Sequence, residues 1–447
     1  MRSIVLKSLD ALASELDRLT PLKLWGRVSA VGAASLRVGG LEAAARRGDR
    51  LRVAPQGRPE LLAEIVSLSP EGATAMWFGT GEGVAVGDRA WLEPQAGVRP
   101  GPAWIGRVVD AFGAPLDGRP LADGPAFAPL RRAPPPAAQR RALGARLETG
   151  LAVFDTLLPI ARGQRIGLFA GSGVGKSTLL AQLARGVQAD VVVLGLIGER
   201  GREVRDFIEN VLGPEGMKRA VVVAATADQS PLAKRQAAWL ATAVAETFRD
   251  EGRHVLLLLD SITRFAEAHR EVALAAGEAP SLRAYPPSTA HAIASLVERA
   301  GPGAGAQGDV TAVYSVLVAG SDMEEPVADI TRGAIDGHVV LERTIAERGR
   351  YPAVDVRRSV SRSLPGCASQ AENALIARAR RLISVYEDSE PMIRTGLYAA
   401  GADPEVDAAI AAHGPLEALI AAPALQGAAG AFATLAAALG NQTPRSQ

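Results

Sequence analysis

The chain has 447 residues, 48% hydrophobic and 22% charged, which is the balance of an ordinary globular protein and too long for a single hydrophobic core. Its 49 lysines and arginines against 48 acidic residues leave a net charge of +1, so no whole-chain field draws it to nucleic acid or anionic lipid. The single cysteine, Cys367, excludes an intramolecular disulfide and a cysteine metal cluster, and suits a reducing compartment.

The first stretch, MRSIVLKSLDALASELDRL, has no long apolar core and no small-residue cleavage site, so it does not read as a signal peptide. Its apolar residues Ile4, Val5, Leu9, Leu12, Leu16 and Leu19 recur at helical spacing with charges between them. An amphipathic helix is expected over residues 1–20, packing on its own domain or on a partner. From 21 to 95 the chain breaks into short apolar runs such as GRVSAVG, DRLRVAP, LLAEIVSL and ATAMWF, bounded by Gly, Pro and charged turns. That spacing predicts a small β-barrel or sandwich. Residues 96–145 include FAPLRRAPPPAAQRR, whose proline content reads as an extended connection between domains.

Over 146–366 the pattern becomes strands alternating with helices. RIGLFA, VVVLGLIG, AVVVAAT, HVLLLLD and VTAVYSVLV are continuous apolar runs of the kind buried on both faces. They predict an α/β fold with a parallel sheet covered by helices on both sides. Segments such as AENALIARARRLISVYE over 367–447 predict a helical C-terminal domain. Residues 418–440 carry no charge, long enough to imitate a membrane span. They are mostly Ala and Gly and are broken by Pro423 and Gln426, so a soluble helical region and a cytoplasmic protein are expected.

Three stretches carry chemistry. RIGLFAGSGVGKSTLL places a strand end at Ala170, a glycine-rich turn over Gly171, Ser172, Gly173, Val174 and Gly175, and a helix opening on Lys176, Ser177 and Thr178. Backbone N–H groups curled by glycines, together with a helix N-terminus, trap phosphate. Lys176 would reach the β- and γ-phosphates of a nucleotide and the Ser177 hydroxyl would ligate Mg²⁺. Ala170 stands where the strict motif has glycine. HVLLLLDSITRF places Asp260 at the C-terminal end of a buried strand, either to hold the metal ion or to cap the following helix. VVVLGLIGERGREVRDF ends another strand on Glu199 and Arg200, either a surface ion pair or a carboxylate set to orient and deprotonate water. A further stretch, YPAVDVRRSVSR, keeps neither helical nor strand periodicity and reads on its own as a solvated loop.

In this order, GLFAGSGVGKST, GERGREV, DSITRFAEAHRE and YPAVDVRRSVSR resemble the catalytic-subunit family of rotary F-type and V-type ATPases and their type III export relatives. The resemblance spans nearly the whole chain from about Leu22 and implies an N-terminal β-barrel, a P-loop (RecA-like) ATPase core and a helical C-terminal domain. It implies Mg-dependent hydrolysis of ATP, with Glu199 the catalytic carboxylate, Arg200 and Arg264 near the phosphates, and Tyr351 stacked on adenine. Pro352 to Ser361 would be a signature loop and Arg362 an arginine finger reaching the nucleotide of the next subunit, in a homo-oligomeric ring, six-fold by expectation. ATADQSPLAKRQAAWLATAVAETFRDEGRHVLLLLDSITR and EEPVADITRGAIDGHVVLER resemble the flagellar protein-export branch, with the virulence injectisome branch as the alternative. That branch implies a stator-like regulator at the N-terminal helix and a central stalk-like component. It further implies an export gate, chaperones and exported substrates as partners, and a peripheral place at the inner face of the cell membrane.

No acidic coupling loop of the F-type catalytic subunit and no large V-type insertion are recognisable, which weighs against the synthase branches. A ring-shaped RNA translocase would share the core and barrel but needs stacking aromatics and a basic groove. The N-terminal segment offers Trp25, Trp77, Phe78 and Trp91 and no charge excess, so no nucleic-acid partner is expected. A non-catalytic nucleotide-binding subunit would lack the carboxylate that Glu199 supplies.

Overall fold

The computed structural model describes residues 23–93, 96–318 and 323–440. The helix expected over 1–20 lies outside them. Two compact units emerge, one holding the residues up to Ala96 together with Val272–Glu278, the other the remainder.

In the first unit, strands β1 (Trp25–Val31), β2 (Ser35–Gly39), β3 (Arg50–Ala54), β4 (Leu61–Ser69), β5 (Gly72–Trp77) and β6 (Arg89–Glu93) close into a barrel in the order β1-β2-β5-β4-β3-β6. Every pair is antiparallel. Alternation produces the core: Leu36 and Val38, then Leu51 and Val53, point inward, and closure leaves no bare sheet edge.

The second unit begins with two short strands, β7 (Gly97–Val98) and β8 (Arg107–Val109); β9 (Ala128–Pro129) pairs back on β7. Its main strands are β10 (Arg165–Ala170), β11 (Val191–Glu199), β12 (Ala220–Thr226), β13 (His254–Asp260), β15 (Asp309–Leu317), β16 (Gly337–Leu341) and β17 (Val354–Ser361). The sheet runs β17-β16-β10-β15-β13-β11-β12-β8, with the two-residue β14 (Gly301–Pro302) beside β15. All neighbours from β16 to β8 are parallel. Both faces are covered, which is why the strands read as unbroken apolar runs. Val192, Leu194 and Leu196 share a core with Leu179, Leu183 and Phe207 on one side. On the other, a Cβ on Gly195 would lie 3.0 Å from that of Ala241, in the helix Pro231–Asp250.

Two segments depart from the sequence reading. Residues 96–145 are not simply an extended connection, because Arg107–Val109 adds an edge strand to the main sheet, in register with Val221–Val223. Arg107 fixes it from inside, donating to both carboxylate oxygens of Asp117 at 2.6 and 2.7 Å and to the Pro120 carbonyl at 2.9 Å. A three-residue strand is too short for periodicity to reveal. Residues 354–361 are likewise not a loop but the antiparallel edge strand β17. Its period is broken by a bulge: His338 pairs with Val360 and Val340 with Asp355, so Val356 to Ser359 fit against one residue. The Ser359 hydroxyl accepts from the Val340 N–H at 2.9 Å, replacing the missing ladder bond.

The C-terminal part is helical, as expected. The helix Gln370–Arg394 opens with a capping box, Ser369 Oγ accepting from the Glu372 N–H and Glu372 accepting from the Ser369 N–H. The apolar 418–440 stretch is split between helices Pro404–Ala421 and Gly427–Ala438. No helix among the described residues is long and apolar enough to cross a membrane.

The helix Lys176–Gly186 ends against Thr149, where a Cβ on Gly186 would come 1.9 Å from the Thr149 carbonyl oxygen. Thr149 cannot yield readily, since its N–H and hydroxyl both donate to Asp155 at 2.8 Å. Gly186→Ala should therefore cost about 2 kcal/mol or more, read as a lowered Tm. Gly333→Ala, in a helix with nothing within 4 Å of the new methyl, should leave Tm unchanged or raise it.

Candidate nucleotide site

β10 ends at Ala170, which is extended and buried, so a methyl group there is accommodated. The turn then needs left-handed backbone at Gly173 (φ 78°) and Gly175 (φ 86°). Val174 anchors it in the core. Gly175 is the N-cap of the Lys176–Gly186 helix, whose first turn has neither a capping side chain nor an acidic residue. Its free N–H groups and the helix dipole are thus open to an anion. The hydroxyl-bearing Ser177 and Thr178 are exposed.

Parallel register brings three charged groups together. Leu196 of β11 lies beside Asp260 of β13, so Glu199 and Asp260 finish neighbouring strands. The Lys176 ammonium donates to the Asp260 carboxylate and lies 3.7 Å from Glu199 Oε1. Asp260 is 4% exposed, and its Oδ1 also accepts from the buried Ser315 hydroxyl at 2.6 Å. It is therefore a strand-end carboxylate facing the turn.

Glu199 follows an irregularity in β11 at Gly198, whose φ is +73°. A Cβ on Gly198 would lie 3.0 Å from Arg264 Cγ, so glycine lets that arginine lie across the strand end. Burial and the charge of Asp260 push the Glu199 carboxyl up to about 7, against the pull of Lys176. Glu199 also hydrogen-bonds to Glu203. Burial opposes charge on Glu203 as well, but hydrogen bonds from Glu199 and Arg200 hold its carboxyl below the usual range. Of the two carboxyls, Glu199 is thus the one whose surroundings favour the proton.

The other sequence-predicted residues divide into near and far. Arg264 is near: it pairs with Glu267 at 2.8 Å, feels the charges of Glu199 and Asp260, and keeps a buried Nε with no hydrogen-bond partner. Arg200 is turned outward, 76% exposed and paired with Glu203 at 3.0 Å. Tyr351 is half-exposed beside the turn, its ring 3.2 Å from where a Cβ on Gly175 would stand. Arg362 lies at the other end of the sheet. Leu341 of β16 pairs with both Ala170 and Val354, whereas Gly337, at its far end, pairs with Ser361. The Arg362 guanidinium donates to the Ile335 carbonyl at 3.1 Å, away from its own phosphate turn.

Sequence reasoning passed over Glu203, Ser315 and Arg343. Glu203 could have been found four residues beyond Glu199 at the start of a helix. Ser315 is a mid-strand residue with no signal. Arg343 donates to the Ser172 carbonyl at 3.4 Å from a helix distant in sequence.

Ser177, Leu196, Glu199, Glu203, Phe207 and Asp260 border a cavity of about 400 Å³. Among the described residues, no cluster of three His, Cys, Asp or Glu could hold a metal ion by itself. Ser177 and Asp260 nonetheless fit Mg²⁺, which takes hard oxygen ligands and is commonly bound by one or two protein groups plus phosphates and water.

Turn, helix and converging strand-end carboxylates define a P-loop nucleotide-binding site. The family model for the ATP synthase alpha/beta nucleotide-binding domain matches residues 150–361, and that for the type III secretion EscN ATPase C-terminal domain matches residues 368–427. The chain is 46% identical over 417 residues to the flagellum-specific ATP synthase of Caulobacter vibrioides, covering 92% of this chain and 94% of that one. It is 46% identical over 352 residues to the SPI-2 type 3 secretion system ATPase of Salmonella typhimurium, covering 78% and 81%. The assembled ATPase EscN of enteropathogenic E. coli, solved with its central stalk EscO, superposes with a TM-score of 0.83 at 35% identity, covering 93% of this chain and all of that one. The chain belongs to the ATP synthase alpha/beta family and, within it, to the flagellum-specific and type III secretion ATPases.

Glu199 makes stability depend on pH in a definite direction. Its folded-state carboxyl titrates near 7, above the ordinary 4.5, so the native state holds the extra proton between those values. Its contribution is present below pH 4.5 and is lost as pH rises through about 7. Glu199→Gln should therefore be more stable than the parent by about 1–3 kcal/mol at pH 8, with the gain vanishing near pH 5. Thermal melts across pH check this.

Proposed function

We propose that this chain hydrolyses ATP to energise protein export through a flagellar type III apparatus. The observation that carries the reading is the meeting of Lys176, Glu199 and Asp260 at the C-terminal ends of β11 and β13, beside the open N-terminus of the Lys176–Gly186 helix. The flagellum-specific ATP synthase of Caulobacter vibrioides matches at 46% identity over 92% of this chain and the SPI-2 ATPase at 46% over 78%, which favours the flagellar branch.

The turn from Gly171 to Gly175 and the first helical N–H groups bind the phosphates. Lys176 transfers its charge from Asp260 to the β- and γ-oxygens. Ser177 and Asp260 would hold Mg²⁺, which when bound would neutralise charge on those oxygens. Cations and donors brought with a nucleotide would favour the carboxylate form of Glu199, which would release its proton to solvent water and then accept one from the attacking water. Arg264, which feels the charges of Glu199 and Asp260, would add positive charge at the phosphates, whereas the outward-turned Arg200 would have to swing inward to do so. The Tyr351 ring, against Gly175, supplies a face for adenine.

Arg362 leaves its own site unserved, which supports its use as a finger on the next subunit. One chain then carries both halves of every interface, the requirement for a closed homo-oligomeric ring with head-to-tail contacts, which we take to be a hexamer. The stalk of the EscN assembly suggests a central stalk-like partner here too. The N-terminal segment, residues 1–20, is assigned to a stator-like regulator, and the export gate, chaperones and exported proteins to the remaining surface, with the ring on the cytoplasmic side of the membrane.

Glu199→Gln should bind MgATP with near-parental affinity and lose roughly 10³-fold or more in kcat. Arg362→Ala should likewise bind but lose ~10³–10⁵ in kcat. Mixing Arg362→Ala with Lys176→Ala protein should restore part of the activity, since mixed interfaces combine an intact Lys176 with a neighbour's intact Arg362. Steady-state hydrolysis of the mixture decides it, and no recovery would mean that Arg362 does not act across subunits.

A further inference from the structure

The residue before Tyr351 is a cation held inside its own chain. Arg350 has an 11% exposed side chain that donates to the Pro352 carbonyl at 3.3 Å and to the Val354 carbonyl at 2.9 Å. Its Nε lies 2.8 Å from Glu417 Oε2, an ion pair rather than a well-aligned hydrogen bond. One guanidinium thus grips the backbone on the far side of Tyr351 and ties it to the helix Pro404–Ala421.

That helix is a firm anchor. Leu416, Leu419 and Ile420 are buried in the sheet's core. Just past its end, the Ala422 carbonyl accepts from the Ala152 N–H at 3.1 Å, and the Ala424 N–H donates to the Gly150 carbonyl at 2.9 Å. His413, one turn before Glu417, stacks on Tyr386 of the preceding helix at 3.6 Å between ring centroids. A second tie, Arg348 to Glu390 at 3.4 Å, runs from the same segment to that helix. Burial works against the charge of Arg350, so loss of Glu417 would leave a poorly compensated cation next to Tyr351.

We propose that the Arg350–Glu417 pair is a clasp that sets the Tyr351 ring against the phosphate-binding turn, making Arg350 a positioning residue for recognition of the nucleotide base. This rests on the reading of Tyr351 as the base-stacking ring. The clasp acts on the base half of the ligand alone. The phosphate half is held by backbone and side chains that Arg350 and Glu417 do not touch.

Calorimetry of the full chain with MgADP and with Mg-tripolyphosphate, which lacks a base, separates the two halves. Arg350→Ala and Glu417→Gln should each weaken MgADP roughly tenfold, the size expected for a misplaced stacking ring. Tripolyphosphate binding should stay within about twofold, and Arg350→Lys should recover part of the loss. Tyr351→Ala should reproduce the pattern. If Tyr351→Ala weakens MgADP selectively while Arg350→Ala does not, the clasp is wrong and the stacking reading survives. If Tyr351→Ala leaves MgADP unchanged, the stacking reading fails and the clasp with it. Equal loss of both ligands in Arg350→Ala would show a structural defect and also overturn the proposal.

Discussion

Lys176 held between Asp260 and Glu199 is the interaction on which the rest of the site depends. Two carboxylates are brought to the ends of neighbouring parallel strands, where burial makes their negative charge costly, and a single ammonium offsets it. The imbalance favours the protonated form of Glu199 and leaves the site short of positive charge. In the proposed mechanism a magnesium triphosphate would bring cationic charge to the carboxylates and draw the ammonium to its phosphates. The electrostatic cost carried by the fold would then become part of the readiness to bind nucleotide.

Sheet polarity organises everything at a distance from that cluster. β16 meets the end of β10 at Leu341 and meets Ser361 at its own start, so the antiparallel β17 spans the sheet from one end to the other. Tyr351 enters beside the glycine-rich turn and Arg362 leaves at the opposite end of the strands, along the same edge. In the proposed ring this direction of a single edge strand assigns the two residues to different nucleotides. The helices of the C-terminal part pack on the same strand and, through Arg350, on the segment that carries the tyrosine.

Much of the site was legible because its elements are local. Strand, glycine turn and helix around Lys176 occupy one continuous stretch, and the strand ends at Glu199 and Asp260 are marked by apolar runs that stop on a carboxylate. The edge strands were not legible for an equally local reason. β8 has three residues, and β17 hides its period behind a bulge in which the Ser359 hydroxyl takes the place of a ladder acceptor. Arg107 could not be seen to lock residues 107–120, because its partners are carbonyls and a carboxylate brought together by turns.

The sequence by itself determined the class of chemistry. Phosphate binding needs a particular backbone path over a few consecutive residues, and glycine spacing specifies that path whatever surrounds it. Only the tertiary structure decided which charges meet. The proton that Glu199 shares with Glu203, the ties of Asp260 to Ser315 and of Arg350 to Glu417, and the outward turn of Arg200 follow from strand register and packing between distant segments. Such contacts carry no local pattern, because the sequence separation of two residues says nothing about which side chains a parallel sheet will set side by side.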